Sequence, residues 1–351
     1  MRVLYFGQYD PSYSRNRVLI KGLKKNGVQV IECRVDPGIF KLIRLFLRYL
    51  KMRPKYDLMI VGFPGQEVMF LARFLTFKPI IFDAFTSHYG GYILDRQYYS
   101  KNSLRAKYYR FLDKWSCRLA NVVLLDTQTH IDFFINEFGL SANKFRRIWV
   151  GTDDDIFYPV PEEHHDGFVV HFHGHFIPLQ GAEYIIKAAS LLKNENIRFN
   201  IIGRGQEYGK IQKLADDLEV GNITWINDVP YKNLRDYMIS ADVCLGIFGS
   251  TPKTKLVIPN KVFEALACKK PIITADTPAI RELLSDNEAF LVKTADPKSL
   301  AEGILRLKKD PVLRNKIAEK GYNMFCTTAT SDILGYQLTE IIKKLLHHAT
   351  R

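Results

Sequence analysis

The feature that most constrains this chain is a change of hydrophobic period that recurs along its 351 residues. Short runs rich in β-branched and aromatic residues alternate with stretches whose apolar residues return at helical spacing. In the first half the strand-like runs are 2–6, 28–33, 58–62, 79–83, 122–125 and 145–150, with helical patterns at 14–25, 40–51, 103–119 and 129–138. In the second half the runs are 168–173, 198–203, 223–226, 242–248, 271–274 and 289–292, with helical patterns at 181–192, 206–218, 232–239, 260–267 and 279–284. Residues 297–351 read as helix alone. Strands apolar on both faces and separated by helices belong to parallel sheets covered on both sides. The fold class expected is α/β, with two Rossmann-like, doubly wound domains facing a central cleft, where the C-terminal ends of such strands bind ligands.

The join falls in GTDDDIFYPVPEEHHDG (151–167), whose glycine, proline and polar residues break both periods. The domains expected are 1–160 and 161–325, followed by a helix over 326–351 that packs back on the first domain. Hydrophobic residues make up 47% and charged residues 25%, values of a globular chain that argue against disorder. No apolar run approaches the length of a membrane span, and MRVLYFG reads as a buried strand and not as a signal peptide. Five scattered cysteines offer neither a disulfide framework nor a zinc site, which suits the cytoplasm.

Charge is distributed unevenly. Residues 1–150 hold 25 Lys+Arg and 11 Asp+Glu, a net +14, whereas 151–351 hold 25 and 26, a net −1. Such an excess points to an anionic partner: a membrane surface, a nucleic acid or a phosphorylated substrate. Lys41, Arg44, Arg48, Lys51 and Lys55 form one helical stripe, and Lys107, Arg110, Lys114 and Arg118 form another among Tyr108, Tyr109, Phe111 and Trp115. Basic amphipathic helices with aromatic neighbours favour an anionic membrane surface. No nucleic-acid-reading motif accompanies the charge, so nucleic acid is not an expected partner.

Five segments then fall in register. They are VGTDDDIFYP (150–159), HFHGHFIPLQGAEYIIKAA (171–189), FNIIGRGQE (199–207), NDVPYKNLRDYMISADVCL (227–245) and IPNKVFEALACKKPIITADTPAIRELL (258–284). Together they resemble the retaining family-4 glycosyltransferases of the GT-B fold. The resemblance covers nearly all of 150–285 and, more loosely, the whole chain. It implies a nucleotide-diphosphate sugar as co-substrate, no further cofactor, metal-independent transfer, and a lipid-linked or other glycan acceptor in cell-surface polysaccharide or glycolipid synthesis. With the basic stripes, it implies a peripheral protein on the cytoplasmic face of the membrane. A nucleotide-sugar epimerase and a non-catalytic subunit of the same fold remain alternatives.

Carried onto this sequence, Glu264 would accept ribose hydroxyls, while the backbone N–H groups beside Asn260, at the start of a helix, would face the diphosphate. Lys253 and Lys261 would neutralise the leaving group. Gly174 opens the Gly-rich loop, and Gly174, His175, Arg204 and Val229 would line the phosphate and base. His175 and Gln180 stand where the family has Arg and Lys, and Leu256 takes the slot of the first acid of its E-x7-E pair. In the first half, Gly7 and Arg15 would add to the diphosphate site. Asp83, at the end of a strand, would hold the acceptor hydroxyl, with Ser87, His88, Asp95 and Arg96 following.

Two tempting metal motifs are read otherwise. His164, His165, His171, His173 and His175 cluster in sequence, but i, i+2 residues of a strand need not converge on one ion. Asp153, Asp154 and Asp155 precede F-x-P between the domains and read as a hinge loop. No metal is expected.

Overall fold

The computed structural model describes residues 1–161 and 166–349. It divides into two compact units, Met1–Gly151 with Ala329–Arg351, and Thr152–Thr328.

The first unit runs β1 (Arg2–Gly7), α1 (Ser14–Lys25), β2 (Gln29–Arg34), α2 (Lys41–Met52), β3 (Leu58–Val61), α3 (Val68–Leu75), β4 (Ile80–Asp83), α4 (Leu104–Leu119), β5 (Val122–Leu125), α5 (Gln128–Phe138) and β6 (Phe145–Arg147). The six strands form one parallel sheet in the order β2-β1-β3-β4-β5-β6. β3, β4 and β5 are buried along their whole length, which is why they read as apolar runs, broken only by Asp83 at the end of β4. Leu4, Phe6, Met59, Val61, Phe82 and Phe134 belong to the core beneath the helices.

The second unit continues with β7 (Phe168–His173), α6 (Ala182–Leu191), β8 (Ile197–Ile202), α7 (Tyr208–Asp217), β9 (Ile223–Ile226), α8 (Leu234–Ile239), β10 (Val243–Leu245), α9 (Asn260–Ala267), β11 (Ile272–Ala275), α10 (Pro278–Arg281), β12 (Phe290–Val292), α11 (Pro297–Lys309) and α12 (Pro311–Thr328). Its parallel sheet has the order β12-β11-β10-β7-β8-β9. Two doubly wound parallel sheets are the architecture expected from the double alternation.

The last helix, α13 (Ser331–Ala349), belongs to the first unit and lies against α1. The contact depends on two glycines. A Cβ on Gly22 would stand 2.2 Å from the Ser331 carbonyl oxygen, and one on Gly335 would stand 2.1 Å from the Gly22 carbonyl carbon. Backbones this close exclude any side chain at either position.

Differences from the sequence reading are local. β6 ends at Arg147, short of the expected residue 150, because the carbonyls of Ile148 and Trp149 turn to Arg15. Helix α3 was not expected: its start has no side-chain cap, and Phe70 and Phe74 are exposed. A π-helical turn, Gly90–Asp95, likewise follows β4 without a sequence signal.

Candidate functional site

The second unit gathers most of the candidate residues around the C-terminal ends of β7 and β8. Gly174 and Gly203 end these strands with φ of 149° and 122°, values L side chains rarely adopt. A Cβ on Gly203 would lie 2.2 Å from the Gly174 carbonyl oxygen, so the loops pass in backbone contact. The Gly174 N–H donates to the Ile202 carbonyl at 3.0 Å, and the Phe176 N–H donates to that of Arg204 at 2.9 Å. His175 is exposed between them.

Helix α9 opens after Pro259, in extended backbone, so its first turn begins without a side-chain cap. Asn260 is half-buried at its first position. Lys261 and Glu264, one turn apart, are both buried. The Lys261 ammonium donates to Gln180 Oε1 at 2.6 Å and sits 3.8 Å from the centre of the Phe172 ring. A Cβ on Gly174 would lie 2.9 Å from it. Burial holds the Lys261 ammonium well below the ordinary lysine range, with Glu264 pulling the other way. Lys261, from α9, thus takes Gln180 of the loop as its partner.

Both Glu264 oxygens are engaged. Oε1 accepts from the Tyr231 hydroxyl at 2.9 Å, and Oε2 lies 2.9 Å from His173 Nε2. His173 Nδ1 lies in turn 2.9 Å from His171 Nε2. Burial, with His173 and Lys261 nearby, pushes the His171 imidazole well below its usual range. The two histidines therefore meet each other and a carboxylate, while His164 and His165 lie outside the described residues. Tyr231 was not singled out by the sequence; its one signal was its place inside the 227–245 segment. Phe157, the aromatic of the F-x-P motif, packs edge-on against Tyr231 at 5.1 Å.

Arg204 is exposed and donates to Asn227 Oδ1 at 2.7 Å, linking the turns after β8 and β9. Val229 is half-buried just beyond, and Lys253 is half-buried on a 3-10 turn, Pro252–Lys255. Asp153, Asp154 and Asp155 have carboxylate oxygens within 4.8 Å of one another. The Asp153 carbonyl accepts from the N–H groups of Ile156 and Phe157, both at 2.9 Å, building a tight turn.

In the first unit, Gly7 ends β1 in the interior with φ of 148°. Arg15 and Asp83, expected to meet ligands, instead meet each other. Both are fully buried: Arg15 Nη2 donates to Asp83 Oδ1 at 2.8 Å, and Nε lies 3.1 Å from both oxygens. Arg15 Nη1 donates to the Ile148 and Trp149 carbonyls, each at 2.8 Å. Burial pushes the Asp83 carboxyl up against the lowering pull of Arg15. The reason for the pairing is physical: a charge removed from water persists only beside an opposite charge with its remaining donors satisfied. In the following loop, Ser87 Oγ donates to Asp113 at 2.6 Å, and the His88 and Tyr89 N–H groups also bond that carboxylate. Asp95 is buried and Arg96 half-buried.

Residues 154–324 match the family described as Glycosyl transferases group 1. The fold is that of sucrose-phosphate synthase from Thermosynechococcus elongatus, with a TM-score of 0.79 at 16% identity over 99% of each chain. Anabaena HepE, solved in complex with UDP-glucose, superposes with a TM-score of 0.73 at 15% identity, over 98% of this chain and 100% of that one. This architecture is the GT-B fold. Among curated relatives, the O-antigen chain mannosyltransferase RfbU of Salmonella typhimurium is 23% identical over 61% of this chain and 58% of its own length. Matches to the leading curated relatives span 23% to 58% of those proteins.

Proposed function

We propose that this chain transfers a sugar from a nucleoside-diphosphate sugar to a membrane-presented acceptor in surface polysaccharide or glycolipid synthesis, with retention and without a metal. The observation that carries the reading is the seat of Lys261, a buried ammonium held by Gln180 beside Gly174 on the helix that also carries Glu264. A buried cation at a helix start, beside a glycine loop, suits a diphosphate. The UDP-glucose complex of HepE and the O-antigen role of RfbU are consistent with it.

In this reading Lys261 and the Asn260 end of α9 hold the diphosphate, with Lys253 and the Gly174–His175 turn beside them. Glu264 accepts ribose hydroxyls. A carboxylate has about four acceptor positions, and Tyr231 and His173 take two. Arg204 and Val229 border the base. The bond from the anomeric carbon to the diphosphate oxygen breaks, the acceptor oxygen bonds to that carbon on the same face, and its proton passes to the departing diphosphate. Rate comes from positioning and from charge stabilisation on the leaving group. In the first unit, the Arg15–Asp83 pair ties the start of α1 to the end of β4 and so shapes the loop after Gly7 that would meet the acceptor.

The membrane part of the proposal is supported by the first unit's surface. Leu45 is the one buried residue of α2, while Ile43 and Leu47 are more than half exposed. Phe74 at the end of α3 is 79% exposed and Phe77 beyond it 98%. Phe111 and Trp115 of α4 are also exposed. Lys41 pairs with Glu67, which also accepts from Tyr108, and Phe70 stacks on Phe111 at 6.1 Å, so the three helices present one continuous apolar and basic face. Such a face suits the headgroup region of an anionic bilayer. Among the described residues no helix is long and apolar enough to cross a membrane.

A thermal-shift panel of UDP-, GDP- and ADP-sugars tests the donor reading, since a ligand that binds only the folded state raises Tm. One nucleotide sugar should stabilise the wild type and lose that effect in Glu264→Ala. No stabilisation by any of them, or equal stabilisation of the variant, would sink the donor-site assignment. Incubation with donor alone that yields free nucleotide and an epimerised sugar would favour the epimerase alternative.

A further inference from the structure

The line His171–His173–Glu264–Tyr231, buried except at the half-buried Tyr231, joins residues from β7, α9 and the 3-10 turn Tyr231–Asn233 through three contacts of 2.9 Å each. We infer that His173 and Tyr231 are positioning residues for donor binding, clamping the Glu264 carboxylate from both sides, with His171 fixing the ring of His173. The inference rests on the donor reading above, because it takes Glu264 as the residue that meets the ribose.

Proton placement along the line supports it. A carboxylate oxygen only accepts, so His173 Nε2 must carry the hydrogen that faces Glu264 Oε2. His173 Nδ1 is then left to accept, and His171 Nε2–H donates to it. That leaves His171 Nδ1 as a bare lone pair, and it is the atom of this line that is buried with no hydrogen-bond partner. The opposite polarity would place an N–H at that position, where an unsatisfied buried donor is costly. One arrangement of protons therefore satisfies every donor, and it points all of them toward Glu264.

The geometry also explains what the clamp does. Glu264 lies on a helix of only Asn260–Ala267, with no side-chain cap at its start. Two donors from different elements leave its carboxylate a single rotamer and set which of its lone pairs face outward. Phe157 against the Tyr231 ring, at 5.1 Å, fixes the second donor in turn. A carboxylate so held is pre-organised for a pair of vicinal hydroxyls, and the ordering is done before the ligand arrives.

The test is calorimetric titration of wild type, Tyr231→Phe, His173→Phe, His173→Gln and Glu264→Gln with UDP, GDP and ADP, followed by steady-state kinetics with the productive donor. Charge-assisted hydrogen bonds predict that Tyr231→Phe and His173→Phe each weaken nucleotide binding roughly tenfold to a hundredfold. They should raise donor KM while leaving kcat and acceptor KM within about twofold, because the clamp acts on binding and not on the reacting bond. His173→Gln keeps an N–H near the position of Nε2 and should recover part of the loss, which a merely space-filling role for His173 would not produce. Thermal melts identify any variant that fails to fold, and Tyr231→Phe, which removes one hydroxyl, carries the test if His173→Phe does. Wild-type-like binding by Tyr231→Phe and His173→Phe, alongside weakened binding by Glu264→Gln, overturns the clamp but spares the donor reading. Unchanged binding by Glu264→Gln, or no binding of any of the three nucleotides by wild type, overturns the donor reading and the clamp with it.

Discussion

The ammonium of Lys261 lies 2.6 Å from the amide oxygen of Gln180, 81 residues earlier in the chain. The pair joins the loop after β7 to the start of α9. Replacing Lys261 with Met should weaken nucleotide-sugar binding roughly tenfold to a hundredfold, the range of a charge-assisted hydrogen bond. Calorimetry with the donor found in the panel measures this.

The burial of Lys261 also sets a pH dependence. Its folded pKa lies well below the ordinary value of 10.5, so between the two the unfolded chain holds a proton that the folded chain has lost. Stability from this group therefore rises with pH across that window and falls as pH drops toward the folded value. Tm against pH should show the slope in wild type and lose it in Lys261→Met. Bound diphosphate favours the charged ammonium, so donor binding should take up protons. Titrations in buffers of different ionisation enthalpy read that uptake directly.

Arg15 and Asp83 form a pair with no exposure on either side chain. Removing one partner strands the other charge: Asp83→Ala should cost about 3–5 kcal/mol. Arg15→Met with Asp83→Leu should recover much of that loss. Urea denaturation of wild type, Asp83→Ala and the double variant decides it, and a double variant no more stable than Asp83→Ala would mean that a stranded charge is not the cause of the loss.

Gly22 and Gly335 let α1 and α13 touch backbone to backbone. A methyl on Gly22 has no room, and overpacking of this kind costs about 1–3 kcal/mol. Gly22→Ala should lower the urea midpoint and make α13 a site of early proteolysis. Equal midpoints would show that the helices can separate at no cost.

Changing Lys41, Arg44, Arg48 and Lys51 together to Gln removes four cations worth about 1 kcal/mol each near an anionic surface. Co-sedimentation with phosphatidylglycerol vesicles should weaken on the order of a hundredfold or more, and Phe74→Ser with Phe77→Ser should remove the part that survives high salt. Undiminished binding by both variants would refute the membrane face.

Much of the fold was legible because a parallel strand covered on both faces must be apolar throughout. Leu58–Val61 and Val122–Leu125 announce themselves that way. Helix α3 did not, since VMFLARFL has neither a capping side chain nor a polar face to mark its period. Glu264, Lys261 and Gly174 could be marked from their motifs, yet the partners of each could not.

The alternation of periods in the sequence determined two parallel sheets with helices on both faces, because local hydrophobic pattern is what strands and helices are selected by. The net +14 of residues 1–150 was likewise determined by composition. The tertiary structure alone decided which charges are spent inside. Arg15, read as a ligand cation, lies beside Asp83, 68 residues away, and His173 lies beside Glu264, 91 residues away. Pairing of buried charges and hydrogen-bonding groups is a matter of distance in space, and no pattern along the chain encodes which residues will share the interior.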